Sequence, residues 1–294
     1  MRNLILTLTA TVFFGGLAPA AVLIYEPFDY ATTGNTNGDG AFLGDGNQSG
    51  ALGLDGTWST EINNVEMEVR DEAMAFTDDA GNALSTAGLS IRRSGRSGFT
   101  TNSIAVDPAA TAALTADNTT MWMSFLYVDE GFSGPDSSVM LASEPLALAN
   151  NHTLISPGVG VGILIGESAP AANATVETGY YLGSTETART QSTLNPNDFE
   201  NEVFLLAAKI NWKPNGTPDE IFVFDITDLT TEPTEFEAIA SDTFDMWLVE
   251  QQSLDTLNIG ETQIDGFDEI RFGTTFSDVA PATDGPGLDG DYNS

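Results

Sequence analysis

Along most of the chain apolar and polar side chains alternate with a period of two, the spacing of a strand whose two sides meet different surroundings. Val65, Met67 and Val69 alternate with Glu66, Glu68 and Arg70, which predicts a half-buried strand with a solvated outer side. Phe204, Leu206, Ala208, Ile210 and Trp212 fall on one side of another strand, with Lys209 and Asn211 opposite. Residues 121–128 (MWMSFLYV) are apolar on both sides, as a central strand covered by two layers requires. Segments 159–165, 221–226 and 264–272 read the same way, and clusters of Gly, Asn, Asp, Ser and Pro separate them. A helical period is almost absent, and only short helical turns are predicted, near 197–202 and 234–239. Many strands without crossover helices predict an all-β, two-sheet antiparallel sandwich, a class that often reaches this length as one domain.

The two ends break the alternation. Arg2 and Asn3 precede an apolar run from Leu4 to Leu17, and Ala18-Pro19-Ala20 offers the small residues a signal peptidase reads. Residues 1–20 are therefore expected to be a signal peptide, with an uncleaved anchor as the rival reading. The body is expected over 21–280. Residues 281–294 read as an acidic Gly/Pro linker, since Gly, Pro and Asp dominate from Asp284 to Gly290. Export to the extracellular space or cell surface follows, with no membrane insertion once the peptide is removed.

Composition narrows the chemistry. There are 43 Asp and Glu against 9 Lys and Arg, a formal charge of −34. Such a surface repels phosphate backbones and anionic lipid headgroups, so no nucleic-acid partner is expected. The absence of cysteine removes disulfides, thiolate nucleophiles and Cys-based metal sites. His152 is the sole histidine, set in a polar stretch with no Gly-x-Ser-x-Gly elbow anywhere, so a serine triad has no base in a suitable place.

Four segments form an ordered set: Leu23-Ile24-Tyr25-Glu26-Pro27-Phe28-Asp29-Tyr30, Met121-Trp122-Met123-Ser124-Phe125-Leu126, Leu205-Leu206-Ala207-Ala208-Lys209-Ile210 and Phe267-Asp268-Glu269-Ile270-Arg271-Phe272-Gly273. Together they resemble secreted bacterial proteins with a laminin-G-like, concanavalin A-like jelly roll, of the type carrying a PEP-CTERM or dockerin-like tail. The closing Asp291-Tyr292-Asn293-Ser294 resembles the first residues of a dockerin calcium repeat. The resemblance implies a jelly-roll sandwich of the lectin and glucanase type. It further implies a structural Ca²⁺ held by an Asp before the last strand and oxygens of the first, which here are Asp268 and Glu26, with Asp29 as a further oxygen. By alternation Asp268 joins Ile270 and Phe272 on a core-facing row, where a carboxylate must be paired or bind a metal. The competing reading is a salt bridge to Arg271 or exposure at the strand end.

Hydrolysis is the activity the glucanase likeness raises. Those enzymes resemble one another in a Glu-x-Asp-x-x-Glu strand that sets its carboxylates on one side. The nearest segment, Glu66 to Glu72, lacks the central Asp and misplaces the last Glu. No catalytic residue is assigned. The run from Gly158 to Gly166 fails the dinucleotide fingerprint Gly-x-Gly-x-x-Gly, yet it puts Gly158, Gly160, Gly162 and Gly166 on one side of a strand. Such a strip either packs closely against neighbouring backbone or floors a shallow glycan trough, with Trp122, Tyr180 or Tyr181 as stacking partners. Asn35 to Gly40 copies half of an EF-hand loop without the closing Glu. Arg92, Arg93 and Arg96 either bind an acidic polysaccharide or neutralise neighbouring carboxylates. The expectation is a secreted, non-catalytic module that binds a polysaccharide or surface glycan. A structural or adhesive spacer and a polysaccharide hydrolase or lyase are the alternatives.

Overall fold

The apolar run at 121–128 becomes the spine of a sheet. In a computed structural model of the chain it lies in β6 (Thr120–Asp129), hydrogen-bonded on one edge to β13 (Val203–Asn211) and on the other to β17 (Asp265–Gly273). The structure describes residues 22–30, 42–43, 51–63, 67–93, 99–129, 137–148, 154–155, 158–168, 173–182, 185–186, 190, 192, 194, 201–261 and 265–283. Outward from β13 this sheet continues through β14 (Asp219–Asp225) to β15 (Ala240–Phe244). Beyond β17 come β4 (Ile91–Arg93) and β3 (Met67–Val69), while β1 (Ile24–Glu26) pairs with the other half of the same β17 edge, making eight strands.

A second sheet of seven strands runs β12 (Thr185–Glu186), β11 (Asn173–Leu182), β10 (Gly160–Ser168), β7 (Ser137–Ala142), β16 (Thr256–Glu261), β5 (Phe99–Val106) and β2 (Leu54–Asn63). A separate hairpin joins β8 (Ala147–Leu148) and β9 (Leu154–Ile155). Every pairing is antiparallel, and the two sheets form the jelly-roll sandwich that the alternation and the resemblance predict.

The main core fills the space between the sheets. From one side come Met121, Met123, Phe125, Tyr127, Leu206, Ala208 and Ile210, and from the other Val139, Leu141, Val161, Ile163, Leu257 and Ile259. Burying one such side chain contributes about 1.5–3 kcal/mol, so this layer dominates the fold's stability. A second apolar cluster lies on the outer side of the eight-stranded sheet. It contains Trp122, Leu126, Leu205, Ala207, Phe224 and Ile226 and is covered by Leu84, Phe276 and Val279. That double covering is why residues 121–128 are apolar on both sides.

Among the described residues three short α-helices interrupt the strands: α1 (Pro108–Leu114), α2 (Leu248–Gln251) and α3 (Phe276–Val279). The sequence carries a start signal for α1 that the alternation reading passed over. Asp107 caps it by accepting the Ala109 amide at 2.7 Å, and Pro108 opens the first turn, where its missing N–H costs nothing. The turn expected at 234–239 is present as a 3₁₀ turn, Glu235–Glu237. The signal-peptide stretch, His152, Arg96, residues 35–40 and residues 284–294 lie outside the described residues, as does most of the turn expected at 197–202. Among the described residues no helix is long and apolar enough to cross a membrane.

Candidate functional site

Between β3 and β4 the chain leaves the sheet edge and crosses the outer side of the eight-stranded sheet as residues 70–90. A crossing segment lacks the ladder partners of a strand, so its buried amides need other acceptors. Carboxylates supply several. Asp268 accepts the Met74 amide at 2.8 Å, and Glu269 accepts the Ala87 amide at 2.6 Å. Asp78 accepts the amides of Ala80, Asn82 and Leu229 at 2.7–3.0 Å. These donors hold the Asp78 carboxyl below the usual range, the Leu229 amide most of all.

A bulge in β17 sets those carboxylates. The β17–β6 register shifts between Asp268 and Arg271, and Glu269 has φ 54°, a left-handed conformation unusual for a residue with a side chain. The extra residue resets the alternation, so Phe267 and Ile270 both enter the inter-sheet core although three positions apart. Asp268, expected on the core-facing row, instead pairs in register with Leu126 of the outer cluster and faces outward. Burial, then the charge of Glu269, pushes its carboxyl up to about 9. Arg271 does not pair with it in the manner expected. It donates from Nη2 to Glu269 Oε2 and to the Ser85 carbonyl, and its guanidinium lies 4.9 Å from the centre of the Tyr25 ring. The Tyr25 hydroxyl donates to the same Glu269 oxygen at 2.9 Å.

Glu26 faces the opposite side of the sheet. It shares its side of β1 with Ile24, which is in the inter-sheet core. Its carboxylate accepts the Phe28 amide at 2.7 Å, the Tyr30 hydroxyl at 2.6 Å and Trp58 Nε1 at 3.3 Å, and burial pushes it up to about 7. Asp29 is exposed. Glu26 and Asp268 therefore do not converge, and protein donors already occupy both. The three residues do not fit one shared Ca²⁺ ion, and among the described residues no group of three or more carboxylates or histidines is placed to hold a metal.

The aromatic and glycine candidates also part company. Trp122 is on the outer side of the eight-stranded sheet and 1% exposed, stacked 5.7 Å from Phe224 and edge-on 5.4 Å from Phe276. Tyr180 points between the sheets and stacks on Phe244 at 5.0 Å. Tyr181 lies on the outer side of the seven-stranded sheet, buried with Met140, Leu146 and Leu164. Gly160 and Gly162 share that side, because Val161 and Ile163 between them enter the core. A Cβ on Gly162 would stand 2.2 Å from the Val139 carbonyl and 2.6 Å from Met140 Cα, so this glycine serves close approach of β7. Of the three aromatics only Tyr181 shares a side with the glycines, and it is packed.

What the structure does assemble is a groove beside the 70–90 crossing. One recess of about 480 Å³ is lined by Arg70, Asp71, Glu72, Arg92 and Ser90, over Met74, Val128, Val203 and Gly266. A second, of about 510 Å³, has Asp78, Asp79, Asn201, Glu202 and Asp225 around Phe76, Phe204 and Ile226. Ala75 and Val203 line both, so the recesses adjoin. Burial pushes the Asp225 carboxyl up to about 6, with the charges of Glu202 and Asp79 adding to the shift. None of the second recess's acids stood out in the sequence, because 43 carboxylates make every local pair unremarkable.

No family model matches the chain, and no curated protein sequence matches it. Among solved structures it is similar to a carbohydrate esterase from the Shiga toxin-encoding bacteriophage phi24B, at 12% identity and TM-score 0.40 over 87% of this chain and 99% of that one. It is also similar to domain 4 of an extracellular arabinanase from Geobacillus stearothermophilus in complex with arabinotriose, at 13% identity and TM-score 0.37 over 89% and 97%. A third likeness is to a metal-free lectin from Griffonia simplicifolia, at 10% identity and TM-score 0.35 over 73% and 91%. Likeness this distant carries no site residue and no activity across.

Proposed function

We propose that this protein is a secreted, non-catalytic module that binds a polysaccharide or surface glycan in the groove on the outer side of its eight-stranded sheet. The observation that carries the reading is the pair of adjoining recesses, open and elongated, with an apolar floor and polar walls. A sugar chain has the matching chemistry: pyranose C–H faces lie against Val128, Val203 and Phe76, while hydroxyl rims meet carboxylates, guanidiniums and Asn201. The buried carboxylates beneath the 70–90 crossing support the reading, since they fix one wall in place before any ligand arrives and so reduce the ordering cost of binding.

The test is a glycan array, followed by calorimetry on any hit, with native protein and Ala75→Leu. Ala75 is exposed and common to both recesses, so the larger side chain narrows the groove without touching the core. Loss of binding in the variant supports the reading; unchanged binding places the ligand elsewhere.

One observation favours a second reading, a polysaccharide hydrolase. Asp225, pushed up to about 6 by burial beside Glu202 and Asp79, has the form of a general acid with two further carboxyl groups at hand. Reducing-sugar release that disappears in Asp225→Asn would establish it.

A further inference from the structure

We propose that Asn215 is a site of self-modification, where the side-chain amide cyclises onto the Gly216 nitrogen and is then hydrolysed to aspartate and isoaspartate. The proposal does not depend on the glycan reading. Asn-Gly occurs at Asn37 and Asn215, and of the two only Asn215 lies among the described residues. Glycine offers the attacking nitrogen with no side chain to hinder it. Residues 214–218 are exposed, and nothing stands within 4 Å of the place a Gly216 Cβ would take. Pro214 to Thr217 form a turn in which the Thr217 amide donates to the Pro214 carbonyl at 2.9 Å. The Gly216 amide donates to no protein group.

A donor is already aimed at the carbonyl under attack. The Leu248 amide donates to Asn215 Oδ1 at 2.8 Å. When the Gly216 nitrogen adds to Cγ, negative charge develops on that oxygen, and a fixed N–H about 2.7–3.1 Å away stabilises it. Asp219 holds the two segments together: it is buried and accepts the Lys213 amide at 2.7 Å and the Met246 amide at 3.0 Å. The turn itself is the gate. Gly216, its third residue, has φ 83°, the mark of a type II turn. The second residue of such a turn has ψ of about +120°, which points the next nitrogen away from its own side chain. Rotation about the Asn215 Cα–C bond, breaking the Thr217–Pro214 hydrogen bond, brings that nitrogen to Cγ.

Water is the only co-reactant. The Gly216 nitrogen bonds to Cγ and gives up its proton; the Cγ–Nδ2 bond breaks, and the amide nitrogen takes a proton and leaves as ammonia. Water then opens the cyclic imide. Opening at Cγ leaves aspartate, and opening at the main-chain carbonyl leaves isoaspartate, whose backbone runs through Cβ and Cγ. Aspartate keeps an oxygen for the Leu248 amide, whereas isoaspartate lengthens the turn and withdraws it. Trp247 adjoins Leu248 and is 56% exposed, while Trp58, Trp122 and Trp212 are buried, so its fluorescence reports on this contact.

The experiment incubates native protein, Leu248→Pro, Asn215→Gln and Asn215→Asp in mildly alkaline buffer, beside a synthetic peptide of residues 203–220. Cleavage after Glu202 and Glu220 releases the same peptide from the protein, and mass spectrometry follows conversion of amide to acid at 215. Leu248→Pro removes the donor where proline fits: this is the first helical residue, and Trp247 before it has φ −71° and ψ 149°. Native protein is expected to accumulate aspartate and isoaspartate at 215, and Asn215→Gln to stay unchanged. Leu248→Pro is expected to react about tenfold more slowly, less than a donor is worth in a closed site because water competes here. The isoaspartyl form, separated by ion exchange, is expected to show altered acrylamide quenching of Trp247, and fresh Asn215→Asp to match native protein. Asn215 unchanged in native protein when the free peptide has fully reacted overturns the site. Equal rates in native protein and a folded Leu248→Pro overturn the role of the Leu248 amide. Thermal melts show which variants are folded, and the comparison of native protein with free peptide decides the site without any variant.

Discussion

Asp268 holds the Met74 amide at 2.8 Å, so a residue of the last strand sets the position of a segment 194 residues earlier in the chain. The same carboxylate accepts the Glu269 amide at 2.8 Å within the bulge. Removing it strands two buried donors, at about 1–3 kcal/mol for each unsatisfied group. Asp268→Ala is therefore expected to destabilise the protein by about 2–5 kcal/mol in urea unfolding. Asp268→Asn, which keeps one of the two acceptor oxygens, is expected to cost about half as much.

Stability is expected to rise as pH falls from 9 to 5. Glu26, Asp225 and Asp268 are all easier to protonate folded than unfolded, so the folded state holds more protons between each pair of values and rising pH removes stability. The losses run from 4.5 to about 7 for Glu26, from 3.8 to about 6 for Asp225 and from 3.8 to about 9 for Asp268. Asp78 and Glu220 are shifted the other way and lose their contribution only as pH falls below the ordinary carboxylate range. Melting temperature against pH checks the sign, and Glu26→Gln is expected to flatten the curve between 4.5 and about 7. A melting temperature higher at pH 9 than at pH 5 would contradict this account.

Calcium titrations are expected to give the same isotherm for native protein, Glu26→Gln and Asp268→Asn. The two carboxylates face opposite sides of the sheet and are occupied by protein donors. A response abolished by both variants would show that the described geometry rearranges around an ion.

Trp122→Ala is expected to cost about 3–5 kcal/mol, because the ring fills the space between Phe224 and Phe276. Trp122→Phe is expected to keep most of that stability and all glycan affinity. A selective loss of affinity in Trp122→Phe, with the melting temperature unchanged, would return this residue to the binding site.

The sandwich was legible because strand alternation is a local signal, and the covered outer side of β6 was visible in MWMSFLYV itself. The candidate site was not, for a reason that Asp268 shows well. Counting by twos from Ile270 assigns it to the core, and only the left-handed turn at Glu269 reverses that, with no glycine to announce it. The glycines at 160 and 162 were readable as one side of a strand, but which neighbour they admit depends on β7, some twenty residues earlier. By alternation Glu66, Glu68 and Arg70 read as the solvated side of a strand, and Asp71 and Glu72 carried no assignment. The role of residues 70–72 as a groove wall comes from the return path of residues 70–90, which alternation does not encode.

Apart from a single bridge between Tyr25 and Leu52, the β1 strand takes its ladder from β17: Ile24 pairs with Phe272, Tyr25 with Arg271 and Glu26 with Ile270. The first strand to be made must therefore wait for the last, and the sheet's inner seam closes only when the end of the body is available. Contacts so distant in sequence make folding slow and leave unpaired edges open meanwhile. A chain cut ahead of β17 would lose the partner of β1, β4 and β6 together, so recombinant boundaries should run past Gly273.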